Sequence, residues 1–234
     1  MRRGILLGAT LIFLVAQALA SPIVLTFEGL QDSEPIADFY NGGLGGFGSG
    51  PGPNSGITFG PDSLALISAA AGGSGDFAGQ PSGITIAFFQ FGPGDVMDVP
   101  AGFTTGFSFF YSAVANPGTI TVWSGLDGTG TQLASLFLPI TPSGVGGPEC
   151  TIYDFCPWFP IGVAFSGTAE SVIFSGAQNV GFDNLTVGSP TPVPEPSAII
   201  LLGTGIACMG ALLSKPRVAG WLRTVVRPRK KSWC

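Results

Sequence analysis

Short segments in which apolar and polar residues alternate recur along residues 21–188, separated by Gly, Pro, Asn and Asp. A period of two is the pattern of a β-strand with one buried face. In the segment 106–112, for example, Phe107, Phe109 and Tyr111 share one face. The pattern predicts strands at 23–27, 83–89, 106–112, 119–123, 132–138, 161–165, 171–174 and 180–187.

So many strands in about 165 residues, without a helical period of 3.6, predict an all-β fold of two packed sheets, a jelly-roll-like β-sandwich. A helix is conceivable only at 62–71, which contains Ala and Leu but no notable capping residues. Composition favours the same class, because the chain has 37 Gly and 20 Pro and only 10% charged residues. Its 45% hydrophobic residues argue against disorder.

Charge is strictly segregated along the chain. All nine Lys and Arg lie at the two ends, residues 4–214 contain none, and the chain has no His. This excludes imidazole catalysis, His-ligated zinc, a Lys Schiff base and a basic face for nucleic acid in residues 4–214. A glycosidase that uses two carboxylates stays open, because fourteen acids supply many pairs.

Residues 1–20 have the features of a secretory signal peptide. Arg2 and Arg3 precede an apolar stretch at 5–15, and Ala18 and Ala20 are the small residues expected before a cleavage site. We expect the mature chain to begin at Ser21 in an oxidising compartment. The alternative is an uncleaved membrane anchor.

A second apolar run predicts a transmembrane helix at 198–214, after a Pro-rich linker at 189–197. The uncharged stretch 196–214 has a helical length of about 28 Å, enough for a bilayer core. The basic tail 215–234 is predicted to be cytoplasmic by the positive-inside rule, with the domain 21–188 outside. The alternative is a buried core helix.

The run is preceded by Val193, Pro194, Glu195 and Pro196. A Pro-Glu-Pro motif, a short hydrophobic helix and a basic cluster, in this order, resemble the PEP-CTERM sorting signal. The resemblance implies recognition by an exosortase, a membrane-embedded transpeptidase-like enzyme, and processing near Glu195. The product would be released from, or attached to, the surface of a bacterium that makes extracellular polysaccharide. This chain continues to Cys234, beyond the point where tails of the family usually stop.

Parts of the body also resemble sequences often found ahead of PEP-CTERM signals. These parts are 25–30, 39–43, 56–59, 158–167 and 181–187. The resemblance implies an exported β-sandwich.

The predicted topology sorts the four cysteines. Cys208 falls in the apolar helix and Cys234 on the reducing side, which leaves Cys150 and Cys156 in the oxidising compartment. We therefore predict a Cys150–Cys156 disulfide that closes a seven-residue loop. The alternative, a catalytic cysteine, lacks a His or a nearby cation that would lower the thiol pKa.

A calcium site is a further hypothesis. In many jelly-roll carbohydrate-binding modules the first and last strands are neighbours, and acids there hold a structural calcium ion. Glu28 follows the first predicted strand and Asp183 lies in the last, with Asp32 or Asp38 as further ligands. The alternative is that these acids cap turns or are solvated at strand ends.

Aromatic residues are candidates for sugar contact, chiefly Trp123 and Trp158, with Tyr40 and Tyr153 as further candidates. The alternative is that they pack in the core or under loops.

The segment 41–56, with eight glycines, predicts a flexible surface loop rather than a phosphate-binding loop, because it lacks the P-loop Lys and no helix follows it.

The sequence thus predicts an exported, non-enzymatic surface or matrix protein that an exosortase sorts through its C-terminal signal. Its expected partners are the secretion machinery, exosortase and, through the C-terminal helix, the inner membrane, before it reaches the cell surface or the medium. The alternative function is a carbohydrate-binding module that acts on extracellular polysaccharide.

Overall fold

The computed structural model describes residues 21–89, 94–175 and 180–193. These residues form twelve strands and three short 3-10 turns, at Ala69–Ala71, Leu126–Gly128 and Pro148–Thr151. The strands are β1 Ile23–Leu25, β2 Glu34–Pro35, β3 Thr58–Phe59, β4 Ser63–Ile67, β5 Thr85–Phe89, β6 Gly94–Phe103, β7 Gly106–Ser112, β8 Gly118–Trp123, β9 Gln132–Leu138, β10 Phe159–Ala164, β11 Ala169–Ser175 and β12 Gly181–Val187.

The strands build two antiparallel sheets, which confirms the predicted two-sheet sandwich. A seven-stranded sheet has the order β10-β7-β12-β5-β4-β2, with β1 paired to β12, and a five-stranded sheet has the order β3-β6-β11-β8-β9. The first and last strands are neighbours, because Ile23 pairs with Val187 and Leu25 with Leu185. Along the same edge of β12, β5 pairs with Gly181 and Phe182.

Each predicted strand corresponds to an observed one, but the helix at 62–71 is wrong. Ser63–Ile67 is strand β4, which pairs with β5 along its whole length, and only Ala69–Ala71 turns helically. Burial explains the strand, since Ser63 and Ala65 face the core while Leu64 and Leu66 face the other side of the sheet. The sequence pattern also missed β2, β3 and β6.

Phenylalanine dominates the core between the two sheets. Phe89 of the seven-stranded sheet stacks on Phe174 of the five-stranded sheet, with ring centroids 4.6 Å apart. Phe182 contacts both rings edge-on, and Phe107 and Phe109 continue the cluster along β7. These residues are fully buried, and such aromatic pairs add about 0.5–1.5 kcal/mol each beyond the burial of their area.

The outer face of the seven-stranded sheet, which points away from the partner sheet, is covered at two places. A Cβ placed on Gly181 would lie 2.8 Å from Cη2 of Trp158, so the indole lies directly on the strand. Residues 188–193, which we call the strap, fold back across the same face. A Cβ on Gly106 or on Gly162 would lie within 2.4 Å of a backbone atom of Pro190.

Hydrogen bonds fix the strap in place. The hydroxyl of Ser108 donates to the carbonyl of Ser189 at 2.9 Å, and the amide of Gly188 donates to Gly106 at 3.0 Å. The first residues of the predicted linker therefore contact the sandwich.

Several predicted segments lie outside the described residues: the signal peptide 1–20, the motif residues Pro194, Glu195 and Pro196, the helix 198–214 and the tail 215–234. Within the described ranges, every helical segment is too short to cross a bilayer.

Candidate functional site

The outer face of the five-stranded sheet carries a strip of partly exposed side chains along β8. Gly118, Ile120 and Val122 face the core, so Thr119, Thr121 and Trp123 alternate onto the outer face. At about 3.3 Å per residue the strip is about 13 Å long. The indole Nε1 of Trp123 donates to Oγ1 of Thr121 at 2.9 Å, which fixes the orientation of the ring.

Neighbouring strands widen this strip into a surface. On β11, Ile173 pairs with Thr121 and Ser175 with Thr119. On β9, Ser135 pairs with Thr121, and Phe137, which is 62% exposed, pairs with Thr119. We call the surface formed by these residues and the β8 strip the open face: Thr119, Thr121, Trp123, Ser135, Phe137, Ile173 and Ser175.

The turn Leu126–Gly128 crosses the Trp123 end of the open face and buries Ser171. The Ser171 hydroxyl donates to the carbonyl of Gly125 at 2.6 Å and accepts from the amide of Gly128 at 3.0 Å. A Cβ on Gly128 would lie 2.9 Å from Cδ1 of Ile173 and 4.0 Å from Nε1 of Trp123, so the turn adjoins the indole.

The same turn places the backbone of Asp127 against a carboxylate of the neighbouring strand β6. The amide of Asp127 donates to Oδ1 of Asp98 on β6 at 2.9 Å. Partial burial raises the pKa of Asp98, and the neighbouring negative charge of Asp127 raises it further. Sequence reasoning did not select either acid, because their contact depends on the pairing of β6 and β11 beneath the turn.

The other aromatic candidates are engaged in packing. Trp158 contacts Phe77 edge-on at 6.1 Å, and its Nε1 donates to the carbonyl of Ala78 at 3.0 Å. Tyr40 is 4% exposed, and its hydroxyl accepts from the amide of Phe27. Tyr153 is partly exposed on the loop that precedes β10.

The two acids of the calcium hypothesis both hold the segment that enters β5. Oε1 of Glu28 accepts from the amides of Ile84 and Thr85 at 2.9 and 2.7 Å. Asp183 is fully buried, and its carboxylate accepts from the amide and the hydroxyl of Ser82 at 2.8 and 2.7 Å. Burial raises the pKa of Asp183 to about 7, and the charge of Glu28 contributes in the same direction.

Asn184, which follows Asp183, is a further candidate ligand for a cation. Asn184 is fully buried, with a positive φ of 50°, and within the described part of the chain neither Oδ1 nor Nδ2 of its side chain has a hydrogen-bond partner. Carboxylate and amide oxygens are the donors that calcium prefers, so Glu28, Asp183 and Asn184 fit the ion in type. The backbone hydrogen bonds of Glu28 and Asp183 equally fit the alternative, in which these acids cap a turn.

The other two acids of the calcium hypothesis are Asp32 and Asp38. Oδ1 of Asp32 accepts from the amide of Ile67 at 2.8 Å. Burial alone would raise the pKa of Asp32, but hydrogen bonds from Ile67 and Ser74 bring it below its ordinary value. Asp38 is exposed.

A buried acid that sequence reasoning missed organises the Gly-rich segment 41–56. Glu34 has no exposed surface, and its carboxylate accepts from the amides of Gln31, Phe47 and Ser49 at 2.7–3.0 Å. The sequence predicts a flexible loop here, whereas the structure shows a segment whose backbone is hydrogen-bonded to one carboxylate. The only residue that could have indicated this is Glu34, and it lies outside the glycine-rich segment.

The predicted Cys150–Cys156 disulfide is confirmed, with the two Cα atoms 5.0 Å apart. Glu149 lies beside it and makes a cluster with the two sulfurs that resembles a metal site in spacing. Disulfide sulfurs are not thiolates, however, so this cluster lacks the ligands of a metal centre.

Comparison with known proteins leaves the family of this chain unassigned. Neither a protein-family model nor a curated protein matches it. Solved structures with partial similarity include a family 6 carbohydrate-binding module from Clostridium stercorarium in complex with cellobiose. It is 16% identical, has a TM-score of 0.35, and the match covers 56% of this chain and 86% of the module.

A module of the same kind from Cellvibrio mixtus lichenase 5A, in complex with cellotriose, is 12% identical with a TM-score of 0.32, covering 54% of this chain and 86% of the module. The cleaved adhesin domain of Lys-gingipain from Porphyromonas gingivalis is 11% identical with a TM-score of 0.37, covering 73% of this chain and 99% of that domain.

Proposed function

We propose that this chain is an exported, non-enzymatic domain that binds extracellular polysaccharide and is sorted to the cell surface through a PEP-CTERM signal. The observation that carries the binding part is the open face, where the Trp123 indole and a row of hydroxyls lie on the same side of the five-stranded sheet.

A sugar ring presents apolar C–H groups on its faces and hydroxyls around its edge. Partly exposed aromatic rings suit the first, because Trp offers a large rigid surface with few rotatable bonds. Thr and Ser hydroxyls suit the second, since each donates one hydrogen bond and accepts others. The open face combines both along about 13 Å of β8, enough for a short stretch of a glycan chain.

The hydrogen bonds that the acidic side chains make favour binding over catalysis. The carboxylates of Glu28, Glu34 and Asp183 accept hydrogen bonds from backbone amides of neighbouring segments, which is a structural role. The carboxylate of Asp98 likewise accepts from the backbone amide of Asp127 at 2.9 Å.

The sorting part of the proposal rests on the C-terminal sequence. The Pro-Glu-Pro motif begins one residue after Val193, where the strap ends, and the apolar run and basic cluster follow. The disulfide supports an oxidising compartment for the body, as export requires.

Retention on polysaccharide tests the binding part. The extracellular polysaccharide of the producing strain is immobilised, and wild-type protein is compared with Trp123→Ala. We expect a loss of affinity of about tenfold or more, because buried Trp contacts are typical hot spots worth more than about 1 kcal/mol. Ile152→Ala is the matched control, since Ile152 is an exposed apolar residue (73%) on the disulfide loop. No retention of the wild type, or equal retention of all three proteins, would refute the binding proposal.

Mass spectrometry of the mature C-terminus tests the sorting part. We expect a product cut near Glu195 that disappears when the exosortase gene is deleted. A full-length membrane-bound protein in the wild-type strain would contradict the proposal.

A further inference from the structure

Strand β9 is an edge of the five-stranded sheet, and one side of its backbone is unpaired. It pairs with β8 along Gln132–Leu138, and no strand follows it in the sheet. Alternate residues of an edge strand point their N–H and C=O groups away from the sheet. Among the described residues, none forms a backbone hydrogen bond with these outward groups of β9. The strand therefore offers a free edge on which a further strand can pair.

The other edge strands of the described chain are short or contain proline. β1, β2 and β3 have three, two and two residues, and β2 contains Pro35. β10 is longer, but it contains Pro160, which has no amide hydrogen to donate. Short strands, prolines and charged side chains are the means by which a sheet edge avoids pairing with another chain. β9 has none of these protections, because its seven residues include no charged residue, Pro or Gly.

The segments around β9 carry no charge that would oppose the approach of a second copy. Residues 21–193 contain thirteen acids and no Lys or Arg, so two copies repel each other wherever their acids meet. No charged residue occurs in 128–148, which includes β9, or in 155–169, which includes the neighbouring strand β10. Four exposed apolar side chains belong to these two ranges: Phe137, Ile140, Val145 and Phe159.

The β9 edge is complementary to itself. When two copies of β9 pair in antiparallel order along their whole length, Ser135 lies opposite its own counterpart and Leu133 lies opposite Phe137. All seven residues are then paired, and the contact is closed by a twofold axis, as in most homodimers. A basic partner would instead be drawn to the acids, which lie outside the two uncharged ranges.

We infer that two copies of this chain form a dimer by pairing their β9 edges, so that the two five-stranded sheets become one sheet of ten strands. The inference does not depend on glycan binding. It has a consequence for the proposed function, because the two open faces would lie on the same side of the joined sheet. Three strand spacings, about 14 Å, would separate the two β8 strips. One seven-residue edge is a small interface, so the dimer should be a weak one.

The dependence of the oligomeric state on concentration tests the inference. In sedimentation velocity of the full-length protein in mild detergent, we expect the mass to rise from one chain toward two between about 1 and 100 µM. Ser135→Glu places two carboxylates about 5 Å apart across the twofold axis, and should raise the dissociation constant at least about tenfold. Ile152→Glu, which adds the same charge at an exposed residue of the disulfide loop, is the control and should leave the dimer unchanged.

A second variant and a second measurement locate the contact. Phe137→Ser shortens a side chain that is 62% exposed and adds no charge, so it should not disturb folding. We expect it to weaken the dimer about three- to tenfold, because aromatic side chains contribute strongly at interfaces. In hydrogen exchange of the wild type, the amides of 132–138 should exchange more slowly at high protein concentration than at low, whereas those of 159–164 should not change.

The outcomes separate this inference from the proposed function. A single-chain mass at every concentration overturns the dimer. A dimer that Ser135→Glu and Phe137→Ser leave unchanged, or that Ile152→Glu weakens equally, also overturns the inference, because its contact then lies away from β9. Retention on polysaccharide that depends on Trp123, by a protein that stays monomeric, would leave the proposed function intact.

Discussion

Asp183 is a buried acid in a domain without side-chain cations, and this makes the stability of the fold dependent on pH. Its carboxyl has no exposed surface, and burial raises its pKa to about 7 in the folded chain, from 3.8 in an unfolded one. Between these two pH values the folded state keeps a proton that the unfolded state releases. The free energy of unfolding contributed by Asp183 therefore falls as pH rises through this window.

The magnitude follows from the two pKa values. Each pH unit inside the window removes up to about 1.4 kcal/mol, so the full loss is about 4 kcal/mol. Other acids act in the opposite direction, because hydrogen bonds bring the pKa of Asp32 and of Glu34 below their ordinary values against the effect of burial. A difference between two proteins isolates Asp183 from these contributions.

Asp183→Asn supplies that difference. The variant keeps an oxygen that accepts from the Ser82 hydroxyl and the Asn184 amide, and it loses the acceptor for the Ser82 amide. This loss costs about 1–3 kcal/mol at every pH. Urea unfolding of both proteins, followed by Trp fluorescence from about pH 4 to about pH 8, gives the two free energies of unfolding.

We expect the wild type to lose about 4 kcal/mol relative to Asp183→Asn across this range. Glu28→Gln should lower the pH at which half of the loss has occurred, since Glu28 adds to the raised pKa of Asp183. A difference that is constant, or that moves in favour of the wild type as pH rises, would show that Asp183 does not have a raised pKa in the folded chain.

Three further predictions concern other parts of the domain. If Glu28, Asp183 and Asn184 hold calcium, the ion should raise the midpoint of thermal unfolding of the wild type but not of Asp183→Asn. Equal midpoints of the wild type with calcium and with chelator would contradict this site. Replacing Cys150 and Cys156 together by Ser should lower the free energy of unfolding by about 2 kcal/mol, measured in urea, because the bridge closes a short loop; an unchanged midpoint would contradict it. Gly162→Ala should expose the strap to limited proteolysis, because the new Cβ would lie 2.2 Å from the Pro190 carbonyl, and an unchanged cleavage rate would show that the strap is not held there.

The sequence predicted the strands whose apolar side chains alternate. In β8 the burial of Ile120 and Val122 follows that alternation. In β7, Phe107 and Phe109 face the core as the alternation predicts, but Ser108 on the other face is buried as well, beneath the strap. β6 was missed because Asp95, Asp98 and Pro100 interrupt its apolar residues, although Met97 and Val99 face the core. Its pairing with β3 and β11 makes it a strand despite this local composition.

The candidate site was predicted less completely. Sequence could select Trp123 and Trp158 as aromatic candidates, but it could not tell which sheet face would be covered. That depends on glycines that accept other segments: Gly181 under Trp158, and Gly106 and Gly162 under the strap. The Asp98–Asp127 contact joins residues 29 positions apart and follows from strand register, so no local signal indicates it.

An NMR titration of the indole N–H signals shows whether glycan binds at the open face. The chain has four Trp, and single Trp→Phe variants assign their signals. When the secreted polysaccharide, cut to short oligosaccharides, is added, we expect the Trp123 signal to shift in a saturable way. The indole of Trp158 lies on the covered face of the seven-stranded sheet, and its N–H donates to the carbonyl of Ala78. The chemical shift of the Trp158 signal should therefore not change. A titration that moves Trp158 and leaves Trp123 unchanged, or that moves neither, would contradict binding at the open face.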